Sequence, residues 1–164
     1  MSDLPVFLML IGIPGSGKSS WLKQLPWTKL YKNHGIRFEI VCPDQIRKRL
    51  SGGTYDQGMN VPAWQEAKKR AVEALQAGRS VILDATNVET SRRREFVVDL
   101  PACVKMAKVF EVTPEKAWLR IKADLDVGRD RSPISEETIY MYYGRFLYTK
   151  KVLASEGFRK WVDL

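Results

Sequence analysis

Residues 12 to 19 read Gly-Ile-Pro-Gly-Ser-Gly-Lys-Ser, the spacing G-x-x-x-x-G-K-[ST] of a phosphate-binding loop. Glycines at Gly12, Gly15 and Gly17 let successive backbone N–H groups turn inward on a polyphosphate, and a helix starting at Lys18 adds the positive end of its dipole. Lys18 brings a charge to the β- and γ-phosphates, and Ser19 brings a hydroxyl to Mg²⁺. The chemistry implied is phosphoryl transfer from ATP, with the acceptor left open.

Three further groups bear on the acceptor. Asp84 ends an apolar run, Ser80 to Leu83, where a second carboxylate can hold a water of the metal; it could equally cap a helix. Asp44 with Arg47, one helical turn on, can accept the proton of an attacking hydroxyl while the guanidinium pairs with a phosphate of the acceptor; Asp44 alone would also serve as an N-cap. The stretch Gly128-Arg-Asp-Arg-Ser-Pro133 has the makeup of a lid, from which Arg129 or Arg131 can reach the transferring group; otherwise it is a solvated loop.

Positioning these residues needs strands that end where helices begin. Val6 to Ile11 is apolar throughout, short, and followed at once by glycines, which predicts a central strand covered on both faces. A helix follows from Lys18 to about Leu25, a strand over 36–41, a short basic helix over 44–50 and a glycine-rich loop over 51–58. Trp64, Ala67, Ala71, Ala74 and Leu75 recur at three and four within a helix over 61–77, stopped by Gly78. A strand over 80–84, a helix over 89–100 and a strand over 104–112 come next. Thr113-Pro114 opens a helix that turns Ala117, Trp118, Ile121 and Leu125 inward, and Ser135 caps a last helix bearing Ile139, Tyr142, Tyr143 and Phe146. Alternation at this spacing predicts an α/β fold: a largely parallel sheet with helices on both faces and a helical lid.

The chain has 164 residues, 45% hydrophobic and 28% charged, which fits one globular domain over 1–164 without repeat, linker or low-complexity segment. Apolar runs are too short to span a membrane, and the start lacks the basic region of a signal peptide, so a cytoplasmic protein is expected. Two cysteines, Cys42 and Cys103, in no ligand pattern read as buried free thiols, and the single His34 argues against zinc or a histidine-based triad. The net charge of +8 favours polyanionic partners. It gathers at Arg47-Lys48-Arg49, Lys68-Lys69-Arg70, Arg92-Arg93-Arg94 and Arg129/Arg131, any of which could instead be a solvated helix face.

Together, the phosphate loop, Pro43-Asp44-x-x-Arg47, Asp84-Ala-Thr-Asn87, Arg92-Arg93 and the late arginine lid resemble the phage-type polynucleotide kinase family, in order and over nearly the whole chain. The resemblance implies a P-loop kinase fold using ATP and Mg²⁺. ATP would contact Gly12, Pro14, Gly15, Ser16, Gly17, Lys18, Ser19, Ser20 and Arg129, and the metal would sit at Ser19 and Asp84. Catalysis would rest on Lys18, on Asp44 as general base and on Arg131 as the lid arginine. Arg47, Thr86 and Asn87 would bind the acceptor, a DNA or RNA strand. Some members place the aspartate directly before Thr-Asn, where this chain has Ala85. The phosphatase domain fused to some relatives is not expected here.

The leading expectation is phosphorylation of a 5′-hydroxyl end of DNA or RNA. A phage DNA-modification kinase acting on a 5-hydroxymethyl pyrimidine would keep the mechanism and need a flipped base, for which Tyr55 and Trp64 could supply stacking surfaces. A P-loop kinase of a small metabolite and a nucleotide-dependent switch or binding module complete the alternatives. Asp44 beside Arg47 speaks against the switch, and the basic clusters weakly against the metabolite.

Overall fold

The computed structural model describes residues 4–162; Met1 to Asp3, on which the leader reading partly falls, and residues 163–164 lie outside the described residues. Five parallel strands, β1 (Val6–Ile11), β2 (Phe38–Val41), β3 (Ser80–Leu83), β4 (Val104–Val109) and β5 (Arg159–Lys160), form one sheet in the order β2-β3-β1-β4-β5. Helices α1 (Lys18–Gln24), α2 (Trp27–His34), α3 (Pro43–Leu50), α4 (Asn60–Gln76), α5 (Thr90–Val97), α6 (Pro114–Asp126) and α7 (Glu136–Val152) connect and cover it.

Side chains alternate across a strand, so β1 feeds two cores. Phe7, Met9 and Ile11 turn to one face, against the alanine stripe Ala63, Ala67, Ala71 and Ala74 of α4, with Phe96, Ala117, Ile121, Ile139 and Phe146. Leu8 and Leu10 turn to the other, against Leu22 of α1, Leu30 of α2 and Trp161. All five of these β1 side chains are fully buried, at roughly 1.5–3 kcal/mol of transfer free energy each. A strand apolar on both faces is stable only in the middle of such a sandwich.

Strand order steps outward from β1 on both sides, so the C-terminal ends of β1, β3 and β2 lie together and open on one crevice. Val41 pairs with Leu83, and Leu83 with Met9, which levels those ends. Two backbone bonds extend the alignment past the strands: Asp84 N–H to Val41 O at 2.9 Å and Gly12 N–H to Thr86 O at 3.1 Å.

Helix ends follow the expected chemistry. Thr113 accepts from the Lys116 N–H, with Pro114 at the first helical position, and Ser135 accepts from the Thr138 N–H. Gly78, at φ 77°, closes α4 while Arg79 N–H bonds Ala74 O.

The structure departs from the sequence reading in several places. Helix α2 was not expected: only Leu30 is buried along it, and Trp27 and Tyr31 remain exposed, so its apolar face is too thin to read as a period. β5 was missed because two residues carry no period; pairing with β4 defines it. β2 starts at Phe38, β3 stops at Leu83, β4 stops at Val109 and α5 spans only Thr90–Val97. Leu125 faces solvent, near the end of α6 where the core has run out, whereas Ala117 and Ile121 are fully buried. Both cysteines are free and half-buried.

Candidate active site

The loop after β1 wraps tightly because its glycines permit it. Gly15 lies at φ 80° with a Cβ position 2.6 Å from the Ala117 carbonyl oxygen, so a side chain there would collide with α6. Gly17, at φ 103°, turns the chain into α1. Lys18 folds beneath this loop, donating to Gly12 O at 2.7 Å, Ile13 O at 3.0 Å and Ser16 Oγ at 3.3 Å. Burial of the ammonium lowers its pKa to about 8, although Asp84 and Asp44 pull it back up. Ser16 is buried, Pro14 half-buried, and Ser19 and Ser20 are exposed at the start of α1.

Beyond β3, Asp84 faces Lys18 and accepts from the Cys42 thiol; burial raises its pKa, and Lys18 opposes the rise. The same burial, with Asp84 adjacent, pushes the Cys42 thiol up to about 12. Glu89 occupies the N-cap position of α5, so Asp84 is not a helix cap. Thr86 holds the phosphate loop through its carbonyl, as noted above.

Asn87 proves to be part of the frame. Its φ is 52°, and its buried side-chain amide donates to Leu10 O at 2.7 Å, with Leu83 O and Ala85 O within 3.4 Å. It joins the ends of β1 and β3 instead of facing an acceptor. Arg93 belongs to the same frame: it is fully buried, pairs with Glu156 at 2.8 Å, and donates to Asn87 O and Thr149 Oγ1. Arg92 stacks over Trp64 at 4.7 Å. The Arg92 to Arg94 cluster is therefore not one solvated face.

Beyond β2 the outlook is outward. Cys42 is the N-cap of α3 and Pro43 fills the first helical position, so Asp44 does not cap the helix. Its carboxylate is 60% exposed and lies 3.1 Å from Arg47 Nη2, whose side chain is 9% exposed. Arg47 also donates to Ser132 Oγ at 3.3 Å, while its buried Nε–H has no acceptor. Tyr55 sits beside Arg47 and Lys48, with ring centroid distances of 5.9 and 5.5 Å. Trp64 packs edge-on against Phe96 in the core, away from that group.

The segment between α6 and α7 crosses back over the site. Asp130 pairs with Lys48 and accepts from the Tyr55 hydroxyl. Arg131 pairs with Asp124 at 3.2 Å, its side chain 27% exposed, and its charge bears on Lys18. Arg129 also pairs with Asp124, at 2.8 Å, but is 71% exposed and points outward. Lys18, Asp84, Asp44, Arg47 and Arg131 thus surround one crevice, and Arg129 and Asn87 do not face it.

Asp124 and Arg120 escaped the sequence reading. Arg120 Nη1 donates to Gly15 O at 3.0 Å and so clamps the phosphate loop, while Asp124 holds both Arg129 and Arg131. Their spacing carried the signal: positions 117, 120, 121 and 124 share one face of a helix whose 117 and 121 were already inward.

A family model described as an AAA domain matches residues 7–146. Among solved structures, a chain of the Pnkp1/Rnl/Hen1 RNA repair complex superposes with TM-score 0.72 at 20% identity, over 92% of this chain and 47% of that one. A candidate kinase from Chloroflexus aurantiacus superposes with TM-score 0.60 at 17% identity, over 83% of this chain and 75% of that one. The protein APE1195 gives TM-score 0.56 at 17% identity, over 93% and 98%. At these identities the likeness is one of fold, a kinase-like P-loop fold. This chain spans about half the length of the RNA repair chains it superposes on. No curated protein matches the sequence. Among the described residues, no helix is long and apolar enough to cross a membrane.

Proposed function

The chain belongs to the AAA domain family of P-loop proteins, and from that premise we propose that it phosphorylates a nucleic-acid hydroxyl with ATP, the 5′-hydroxyl end of a DNA or RNA strand. The observation that carries this reading is the pair after β2: an exposed carboxylate, Asp44, joined at 3.1 Å to a nearly buried arginine, Arg47, across the crevice from Lys18. A binding switch has no use for an open carboxylate there. A hydroxyl nucleophile needs one, and an arginine beside it suits an acceptor that carries phosphate.

The loop fits a polyphosphate by its positive-φ glycines and by the partly desolvated ammonium of Lys18, which gains from anionic company. Gly12 and Pro14 to Ser20 would line the triphosphate. A hydroxyl at the start of α1, Ser19, and a carboxylate just past β3, Asp84, are hard oxygen donors of the kind that suit Mg²⁺, a cation held by one or two protein oxygens with water and phosphate. Ser19 and Asp84 are those oxygens in this reading, and the ion would neutralise charge on the phosphates.

Asp44 accepts the proton of the acceptor hydroxyl as its oxygen bonds to the γ-phosphorus and the bond to the β-phosphate oxygen breaks, leaving ADP. Arg47 orients the acceptor through a phosphate. Lys18 and Arg131 stabilise charge on the transferring group, and Asp124 positions Arg131. The hydroxymethyl-base alternative is weakened, since Trp64 packs into the core and leaves Tyr55 alone to stack a flipped base.

The test offers γ-labelled ATP with a 5′-hydroxyl oligonucleotide, hydroxymethylated duplex DNA and a panel of nucleosides, then maps the labelled atom. Label on the terminal 5′ oxygen is expected. Label on the modified base, or on nucleosides alone, would overturn the 5′-end reading.

A further inference from the structure

Beside α3 lies a cavity of about 660 Å³. Its lining includes Ile40 and Cys42 of the β2 side, Gln45, Lys48 and Arg49 of α3, and Arg70 of α4. Three of its residues are cationic and none is acidic. Ile40, on the edge strand, is 45% exposed and gives the cavity an apolar floor. Arg49 is exposed and, among the described residues, has no ion-pair partner; Arg70 shares its charge only with Glu66 on its own helix, at 3.0 Å. A sheet edge with this lining attracts an anion that also carries an apolar surface.

Helix geometry ties the cavity to the acceptor site. Lys48 lies four residues beyond Asp44, and Arg49 four beyond Gln45, so α3 presents two neighbouring rows, one starting at the proposed base and the other lining the cavity. Asp44, Arg47 and the groove residues Lys48 and Arg49 thus lie within two turns of one helix. Lys48 stands between the two regions and holds Asp130 of the segment between α6 and α7, so a strand phosphate arriving at Lys48 competes with the contact that ties this segment down.

We propose that this groove is a second acceptor subsite, which binds the internucleotide phosphates downstream of the reacting end through Arg49, Arg70 and Lys48, with a sugar or base against Ile40. The proposal rests on the nucleic-acid kinase reading and deepens it: the acceptor is recognised as a strand, not by its terminal nucleotide alone. A small phosphorylated acceptor offers the same anion chemistry but carries no row of phosphates to fill the groove, so acceptor length separates the two sources.

The experiment measures acceptor KM with Mg-ATP for a nucleoside 3′-phosphate, a dinucleotide and a hexanucleotide, all with 5′-hydroxyls, across a salt series. The proteins are wild type, Arg49→Ala, Arg49→Ala with Arg70→Gln, and Lys69→Ala, which removes one exposed charge from α4 outside the groove. For wild type, the hexanucleotide should have the lower KM by roughly tenfold or more, and its KM should rise with salt more steeply than that of the nucleoside 3′-phosphate. The double variant should shrink that advantage about tenfold and flatten the salt slope by about 1.4, at roughly 0.7 per single-strand phosphate contact; Arg49→Ala alone should do about half of this. Lys69→Ala should keep the advantage. Equal KM values at all lengths in wild type, or a full advantage in a folded double variant, would overturn the groove while leaving the kinase reading intact. Phosphorylation of the nucleoside 3′-phosphate with neither the dinucleotide nor the hexanucleotide accepted would overturn both.

Discussion

After β2 the chain runs through Cys42, Pro43 and Asp44 into α3, and after β3 it runs through Asp84, Ala85, Thr86 and Asn87 toward α5. Both segments leave adjacent parallel strands at the same level of the sheet, with Val41 in register with Leu83, and both carry a polar residue followed by arginine. They put those groups to opposite uses. Asp44 is open to solvent and Arg47 reaches it from the helix, whereas Asn87 and Arg93 turn inward and bond the carbonyls and hydroxyls of the frame. The cause is position in the sheet. β2 is an edge strand with the crevice beside it; β3 is enclosed between β2 and β1, so polar groups that follow it must find partners inside the protein.

The comparison is broken most directly at Asp44. Asp44→Asn removes the proton acceptor and should lower kcat by about 10²–10⁴, with stability held within about 1 kcal/mol because Asp44 does not cap α3. A variant with normal kcat and a clear loss in urea unfolding would make the β2 segment as structural as its neighbour.

Arg93→Ala should show the reverse. It strands the nearly buried Glu156 carboxylate and leaves Thr149 and Asn87 without their donor, so a loss of about 3–5 kcal/mol in urea unfolding is expected. A loss below about 1 kcal/mol would mean that the ion pair contributes little to the fold.

Asn87→Gly keeps the positive φ accessible while removing the amide with its Cβ and loosening the unfolded chain, so a loss of about 1–3 kcal/mol should follow, chiefly from those hydrogen bonds. Unfolding measured beside acceptor KM distinguishes the roles. Raised KM at full stability would restore Asn87 to the acceptor site.

Asp84 sits between the two extremes, and the smallest effect concerns its charge. Burial raises its pKa in the folded protein, so between the ordinary aspartate value and the folded value the native state binds more proton than the unfolded chain, and stability falls as pH rises through that window. Asp84→Asn should therefore unfold at a higher temperature than wild type at neutral pH and lose that advantage on acidification, while its activity drops. A stabilisation that grows toward acid pH would show that the ionised carboxylate is favoured in the fold.

Much of this was legible in the chain. The apolar run of β1 ending in the glycine loop, the α4 alanine stripe stopped by Gly78, and the caps at Thr113 and Ser135 are local signals, set by side-chain period and backbone permission within a few residues. They sufficed to name the parallel α/β fold. Sequence could not say which polar groups face solvent. Arg47 and Arg93 are both arginines in basic helices, and Asp84 and Asp44 both follow strands; only the tertiary structure places Asp44 and Arg47 at an open edge, Asp84 against Lys18 in the crevice, and Arg93 inside the protein. Nor could it pair Arg131 with Asp124, or Lys48 with Asp130, since such contacts depend on how the segment between α6 and α7 folds back toward α6 and α3. Local sequence determines backbone conformation because the forces involved act between near neighbours; burial and charge pairing are properties of the assembled surface, and only the tertiary structure decides them.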